Sequence, residues 1–103
     1  TDFTTYTLSK TGLWTLTRIA AKALSPQVRV NAIGPGPTIK AAFQSEENYL
    51  RQRKSTPLGR GSEVTDILQT VRYILNNPGI TGQLICVDGG QNLQMIGQAD
   101  ELD

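Results

Sequence analysis

The apolar positions in the first third of the chain predict a long helix followed by a strand. From residue 4 to residue 24 they recur at helical spacing and fill one wide arc. The members of that arc are Leu13, Leu16, Ile19, Ala20, Ala23 and Leu24. Ser25-Pro26 ends the helix because proline keeps the preceding residue out of helical geometry. Residues 28–33 begin with alternating β-branched residues and predict a strand. We expect the following residues, 34–38, to be neither helix nor regular strand.

The rest of the chain predicts a polar insertion, a second strong helix and a second strand. Residues 40–56 are polar, and Ser45 is expected to cap a short helix that is either a mobile flap or a surface helix without a role. Ser62 is expected to cap a helix over residues 63–76. Its apolar face comprises Val64, Ile67, Leu68, Val71, Ile74 and Leu75. Residues 84–87 are continuously apolar, as in a strand buried on both faces of a parallel sheet.

The order helix, strand, flap, helix, strand predicts an α/β fold with a parallel sheet covered on both faces, a three-layer arrangement. Two strands alone cannot cover both predicted helices. The chain also begins without Met and enters its first helix within a few residues. We therefore expect residues 1–103 to be part of a larger domain.

Composition narrows the possible functions. The net charge is +1, so a broad surface for nucleic acid or an anionic membrane is not expected. The basic cluster at residues 51–54 is assigned to a solvated helix face. The single cysteine, Cys86, excludes an internal disulfide and suits a reducing compartment, hence a cytoplasmic location. The chain has no histidine, which excludes Ser-His-Asp and Cys-His hydrolysis and His-ligated metal sites within it.

Tyr6 and Lys10 are the candidate chemical pair. They lie four residues apart and are predicted to face the buried side of the first helix. An ammonium beside a phenol favours the phenolate and lowers the phenol pKa from its ordinary value of about 10. The pair could then exchange a proton near neutral pH. The alternative is an amphipathic pair that extends from the flank of the helix to solvent.

Five motifs in order resemble the C-terminal half of the short-chain dehydrogenase/reductase family. They are Tyr6-x-x-Ser9-Lys10, residues 28–36 (VRVNAIGPG), Pro57-Leu58-Gly59-Arg60, Thr81-Gly82-Gln83 and Asp88-Gly89-Gly90. The similarity covers roughly residues 3–93. It implies that the sheet is the C-terminal part of a doubly wound Rossmann-type sheet.

The resemblance implies a set of roles for individual residues. Tyr6 would be the catalytic acid/base and would also contact the cofactor. Lys10 would lower the pKa of Tyr6 and bind the nicotinamide ribose. Pro35 and Gly36 would pass under the nicotinamide, and the backbone of Thr38 would hold its carboxamide. The chain departs from the family at Lys40, where a threonine is frequent. The family's Gly-rich turn and its catalytic Ser and Asn precede the Tyr and are not in this chain.

The expected function is therefore NAD(P)-dependent oxidation of an alcohol, or reduction of a carbonyl or C=N bond, in a small-molecule substrate. A weaker similarity to pteridine and dihydromonapterin reductases concerns residues 34–38 and 88–91. NADP is slightly favoured over NAD. The alternative is a non-catalytic scaffold of the same fold. The resemblance also implies a homo-oligomer, a dimer or tetramer, formed through the helix from Tyr6 to Leu24, with Trp14 at its edge, and the helix from Glu63 to Asn76.

Overall fold

The predicted order of helices and strands is confirmed. The structure, a computed structural model, describes residues 3–36 and 44–93, with residues 3–7 described by their backbone alone. Thr38 and Lys40 thus lie outside the described residues. The elements are α1 (Phe3–Leu24), β1 (Ala32–Pro35), α2 (Glu46–Lys54), α3 (Val64–Leu75), β2 (Leu84–Val87) and a 3₁₀ turn (Gln91–Leu93). None of the helices in these ranges is long and apolar enough to cross a membrane.

The two strands are parallel neighbours, and β1 lies further along the chain than predicted. Ala32 pairs with Leu84 and Pro35 with Val87, so the strand includes residues that we expected to lie in a turn. The N–H of Ala32 donates to the carbonyl of Gln83 at 2.8 Å, and the N–H of Gly36 donates to the carbonyl of Val87 at 3.2 Å. Pro35 lies between the positions that donate to β2, so its missing N–H leaves this ladder intact.

Residues 28–31 are not part of the strand because a side chain takes over the pairing there. Asn31 donates from its amide to the carbonyl of Ile80 at 3.0 Å and accepts from the backbone N–H of Gln83 at 3.0 Å. The N–H of Gly82 donates to the carbonyl of Val30 at 2.7 Å. Gly82 has a φ of 74°, which turns the facing loop away from extended geometry. The regular ladder therefore begins only at Ala32.

The side of α1 that meets the sheet differs from the predicted apolar arc. Thr17 and Ala21 are buried, and Lys10 is half-buried, whereas Leu16 and Ile19 are 63% and 61% exposed. Lys10, Thr17 and Ala21 recur at seven- and four-residue intervals, and they form one narrow stripe along the helix. A sheet of two strands is too narrow to cover the wide arc as well, so most of that arc faces outwards.

Helix α3 begins one residue later and ends one residue earlier than predicted, at Val64 and Leu75. Its N-cap is Glu63 rather than Ser62. The carboxylate of Asp66 accepts the N–H of Glu63 at 2.8 Å, which satisfies a donor at the helix start. Only part of the apolar face is covered. Ile67 and Ile74 are half-buried, while Val64, Leu68, Val71 and Leu75 are exposed.

The C-terminal end of α3 is tied to the start of the sheet by Arg29. Its guanidinium Nη1 donates to the carbonyls of Ile74, Asn77 and Ile80 at 3.0, 3.3 and 3.0 Å. A positive charge at a helix C-terminus is favourable because the terminal carbonyls carry partial negative charge. This contact fixes α3 beside the sheet.

Helix α2 is capped as predicted, but its basic cluster is not uniformly solvated. The hydroxyl of Ser45 accepts the N–H of Asn48 at 3.0 Å. Arg51 is well exposed, as expected. Arg53 is only 14% exposed, since it pairs with Glu63 at 2.6 Å and donates to the carbonyl of Ser62. Arg53 therefore joins α2 to the start of α3.

Candidate functional site

The ammonium of Lys10 lies at the carboxyl edge of the parallel sheet. Its Nζ atom is 3.7 Å from Oδ2 of Asp88, directly after β2, and 3.8 Å from Sγ of Cys86, within β2. Lys10 comes from α1, so three elements meet at this point. The crevice at the carboxyl ends of the strands is where open α/β sheets bind their ligands.

Two glycines at the end of β1 make room for this arrangement. A Cβ atom at Gly34 would lie 2.6 Å from Nζ of Lys10, and one at Gly36 would lie 2.7 Å from Cα of Asp88. Real Cβ atoms do not approach so closely, so any side chain here would displace a neighbour. The end of β1 therefore has no side chain at these two positions. The Lys10 ammonium lies against Gly34, and Asp88 packs against Gly36.

The turn after β2 holds its carboxylate rigidly. Asp88 is 2% exposed. Its Oδ1 accepts the N–H of Gly90 at 3.0 Å and its Oδ2 accepts the N–H of Asn92 at 3.1 Å. Gly89 and Gly90 have φ values of 67° and 89°, in the left-handed region that favours glycine. The chain thus folds back after Asp88 so that the amides of Gly90 and Asn92 bind the carboxylate.

The loop before α3 packs onto the same turn. The N–H of Leu58 donates to the carbonyl of Gly89 at 2.9 Å, and a Cβ atom at Gly90 would lie 3.0 Å from Pro57. The hydroxyl of Thr56 donates to the carbonyl of Arg60 at 2.6 Å and closes the loop. The connection from α2 to α3 is therefore anchored beside the site.

Several of the residues that the sequence singled out lie together at this edge. Lys10, Pro35 and Gly36 all lie at the carboxyl end of the sheet. Tyr6 lies one turn before Lys10 in α1, at the spacing that puts two positions on one helix face. Sequence reasoning missed Asp88 and Gly34 as members of the site. The available signal was a carboxylate placed directly after a fully apolar strand.

Comparison with known proteins identifies relatives over almost the whole chain. A family model described as enoyl-(acyl carrier protein) reductase matches residues 1–92. The zebrafish (Danio rerio) carbonyl reductase family member 4 is 41% identical over 93 residues, which cover 87% of this chain and 38% of that protein. Bovine (Bos taurus) 3-oxoacyl-[acyl-carrier-protein] reductase is 35% identical over 91 residues, with the same coverage of both proteins. The chain thus spans 38% of the length of these relatives.

Solved structures show the same similarity. The crystal structure of FolM alternative dihydrofolate reductase 1 from Brucella suis, in complex with NADP, matches with a TM-score of 0.77 at 51% identity. The match covers 85% of this chain and 36% of that one. A short-chain dehydrogenase from Leptospira borgpetersenii with bound NAD⁺ matches with a TM-score of 0.66 at 30% identity, covering 84% and 35% of the two chains. Sequence and structure together place this α/β chain in the short-chain dehydrogenase/reductase family.

Proposed function

We propose that the chain provides the C-terminal part of an NAD(P)-dependent oxidoreductase, as half of one Rossmann-type domain. The observation that carries the proposal is the half-buried ammonium of Lys10 at the carboxyl edge of the sheet, one turn after Tyr6. The family membership and the exposed apolar faces of α1 and α3 support the same view. The activity would belong to the protein that also supplies the remaining strands.

The residues of the strand end fit a nicotinamide cofactor. Glycine at positions 34 and 36 lets the Lys10 ammonium and the backbone of Asp88 approach the strand end, because a Cβ atom there would lie 2.6 Å from Nζ of Lys10 or 2.7 Å from Cα of Asp88. We propose that Pro35 and Gly36 line the nicotinamide and that Lys10 holds its ribose. Thr38, outside the described residues, would hold the carboxamide through its backbone. When bound, the cofactor supplies or accepts the hydride.

Tyr6 would supply the proton that balances the hydride. During reduction its hydroxyl donates a proton to the carbonyl oxygen, or to the nitrogen of a C=N bond, while the carbon receives the hydride. Oxidation of an alcohol reverses both transfers. The positive charge of Lys10 stabilises the phenolate that remains, because an opposite charge nearby favours the ionised form. Both residues therefore act on one proton transfer.

We propose a reduced pteridine as the substrate class and NADPH as the preferred cofactor. FolM proteins from Brucella suis and Brucella canis, both in complex with NADP, are 51% and 52% identical to this chain. The carbonyl and 3-oxoacyl reductases cited above are 41% and 35% identical. The higher identity favours reduction of a C=N bond over reduction of a ketone.

The substrate proposal predicts that the full-length protein reduces dihydrofolate with NADPH. We expect a higher kcat/KM for dihydrofolate than for a 3-oxoacyl thioester, measured from the loss of NADPH absorbance with equal cofactor in both assays. Turnover of the thioester alone would contradict the pteridine proposal and leave the oxidoreductase proposal standing. Absence of NADPH binding would instead favour the non-catalytic scaffold.

We also propose that α1 contributes to a subunit interface, in a dimer or tetramer. Trp14 is 44% exposed, with Arg18 5.5 Å from its ring, on another side of α1. Leu8, Leu16 and Ile19 form an exposed apolar side of the helix. Such a contiguous apolar surface marks an interaction site more often than a free surface. The exposed apolar side of α3 is proposed as the second contact. A cytoplasmic location remains a prediction.

The interface proposal predicts that Ile19→Glu lowers the oligomeric state of the full-length protein. A charge in an apolar contact costs several kcal/mol of association free energy, so we expect smaller species in sedimentation velocity. Thr11→Glu, on the polar side of the same helix, is the matched control and should sediment like the parent. An unchanged oligomer in the Ile19→Glu variant would exclude α1 from the interface.

A further inference from the structure

The ammonium of Lys10 has a buried anionic neighbour that the proposed reaction does not use. Oδ2 of Asp88 lies 3.7 Å from Nζ of Lys10, and the Asp88 side chain is 2% exposed. Removing a carboxylate from water is costly unless opposite charge and hydrogen-bond donors compensate it. The burial of Asp88 beside the candidate site is therefore a feature that the proposed reaction alone does not explain.

The carboxylate is held in place independently of Lys10. Backbone N–H groups of Gly90 and Asn92 donate to its two oxygens at 3.0 and 3.1 Å. The side-chain amide of Asn92, oriented as its surroundings require, donates to both oxygens at 3.1 Å. Hydrogen bonds to an ionised acceptor are stronger than neutral ones, so Asp88 is a fixed point charge.

Lys10 is the member of the pair with the longer side chain. Its ammonium ends a flexible four-carbon stem, so contacts around the ammonium decide where it lies. From β1 the ammonium lies over Gly34, where a Cβ atom would come within 2.6 Å of Nζ. From β2 it meets the carboxylate of Asp88 and the Cys86 thiol, which is a weak acceptor. On its own helix Tyr6 precedes it by one turn. Asp88 is thus the acidic group that faces Lys10 among the described residues.

We propose that Asp88 is a positioning residue that holds the Lys10 ammonium above the end of β1. The backbone of Asp88 packs against Gly36, where a Cβ atom would lie 2.7 Å from its Cα. Asp88 therefore fixes both the position of the Lys10 ammonium and the position of the strand end at Pro35 and Gly36. This inference rests on the proposed function, because Lys10 needs a defined position only if it binds the cofactor.

A double-mutant cycle on NADPH affinity tests this role in the full-length protein. Asp88→Asn keeps the size of the side chain and removes its charge. We expect it to weaken NADPH binding by about tenfold, which corresponds to about 1.4 kcal/mol of binding free energy. In the background of Lys10→Met, the same Asp88→Asn change should alter the dissociation constant by less than about twofold, because its partner is already gone.

Matched variants separate positioning from folding. Asp66→Asn removes a carboxylate that pairs with Arg60 at 2.6 Å in α3, and it should leave NADPH affinity unchanged. If Asp88→Asn fails to fold, judged by its melting temperature, Asp88→Glu takes its place in the cycle. The expected result is again a loss of affinity that depends on Lys10.

The outcomes distinguish this inference from the proposed function. Equal loss of affinity in both backgrounds, or no loss in either, overturns the positioning role of Asp88. Unchanged binding and turnover in Lys10→Met alone would instead overturn the role of Lys10 and, with it, the proposed site.

Discussion

Tyr6→Phe should nearly abolish turnover in the full-length protein while leaving cofactor binding intact. The substitution removes only the hydroxyl that is proposed to donate the proton. General acid–base catalysis contributes about 10²- to 10⁴-fold, so we expect kcat to fall by about 10³-fold. The measurement is steady-state reduction with NADPH, together with the dissociation constant of NADPH from its fluorescence. That constant should change by less than about threefold, since one weak contact is lost at most.

Tyr73→Phe is the matched control for the loss of a phenolic hydroxyl. Tyr73 lies on α3 and is 57% exposed, and we assign it no chemistry. Its kcat should equal that of the parent protein. Retained turnover in Tyr6→Phe would contradict the assignment of Tyr6, whereas loss of NADPH binding as well would point to a structural defect.

Gly36→Ala should disrupt the packing between the end of β1 and Asp88, directly after β2. The added Cβ atom would lie 2.7 Å from Cα and 2.8 Å from Cβ of Asp88, both on or next to the backbone of the other strand. Backbone atoms cannot give way as the end of a flexible side chain can, so the two strand ends must separate. Overpacking of this kind costs about 1–3 kcal/mol of unfolding free energy. We expect a lower melting temperature and NADPH binding weakened by at least about tenfold.

Gly79→Ala provides the comparison for the loss of a glycine. A Cβ atom at Gly79, in the connection from α3 to β2, has nothing within 4 Å. This variant should keep the affinity for NADPH and lose little stability. A Gly36→Ala protein that melts and binds NADPH like the parent would show that the strand ends are not packed as described.

The sequence predicted the order of the elements because apolar periodicity and the helix-ending signals are local. Helix α1 ends at Leu24 before Ser25-Pro26, and β2 occupies residues 84–87 as expected. The start of β1 and the cap of α3 could not be predicted in the same way. They depend on Asn31 bridging to a distant loop and on Asp66 accepting the N–H of Glu63.

The candidate site was only partly predictable for a related reason. Lys10 stood out because a lysine on an apolar helix face is unusual. Asp88 and Gly34 could not be assigned to the site from the sequence, because they meet Lys10 only when the fold brings the carboxyl ends of β1 and β2 together beside α1. The burial of the apolar arc was predicted wrongly at Leu16 and Ile19, since periodicity reports a wide apolar side but not how much of it this sheet can cover.

The most direct test of the central claim is a crystal structure of the full-length protein with NADP⁺ bound. We predict that Nζ of Lys10 lies within about 3.2 Å of a hydroxyl of the nicotinamide ribose, with the backbone of Pro35 and Gly36 against the nicotinamide ring. A cofactor bound elsewhere, or a Lys10 ammonium turned away from the ribose, would contradict the proposal that this edge of the sheet is the active site.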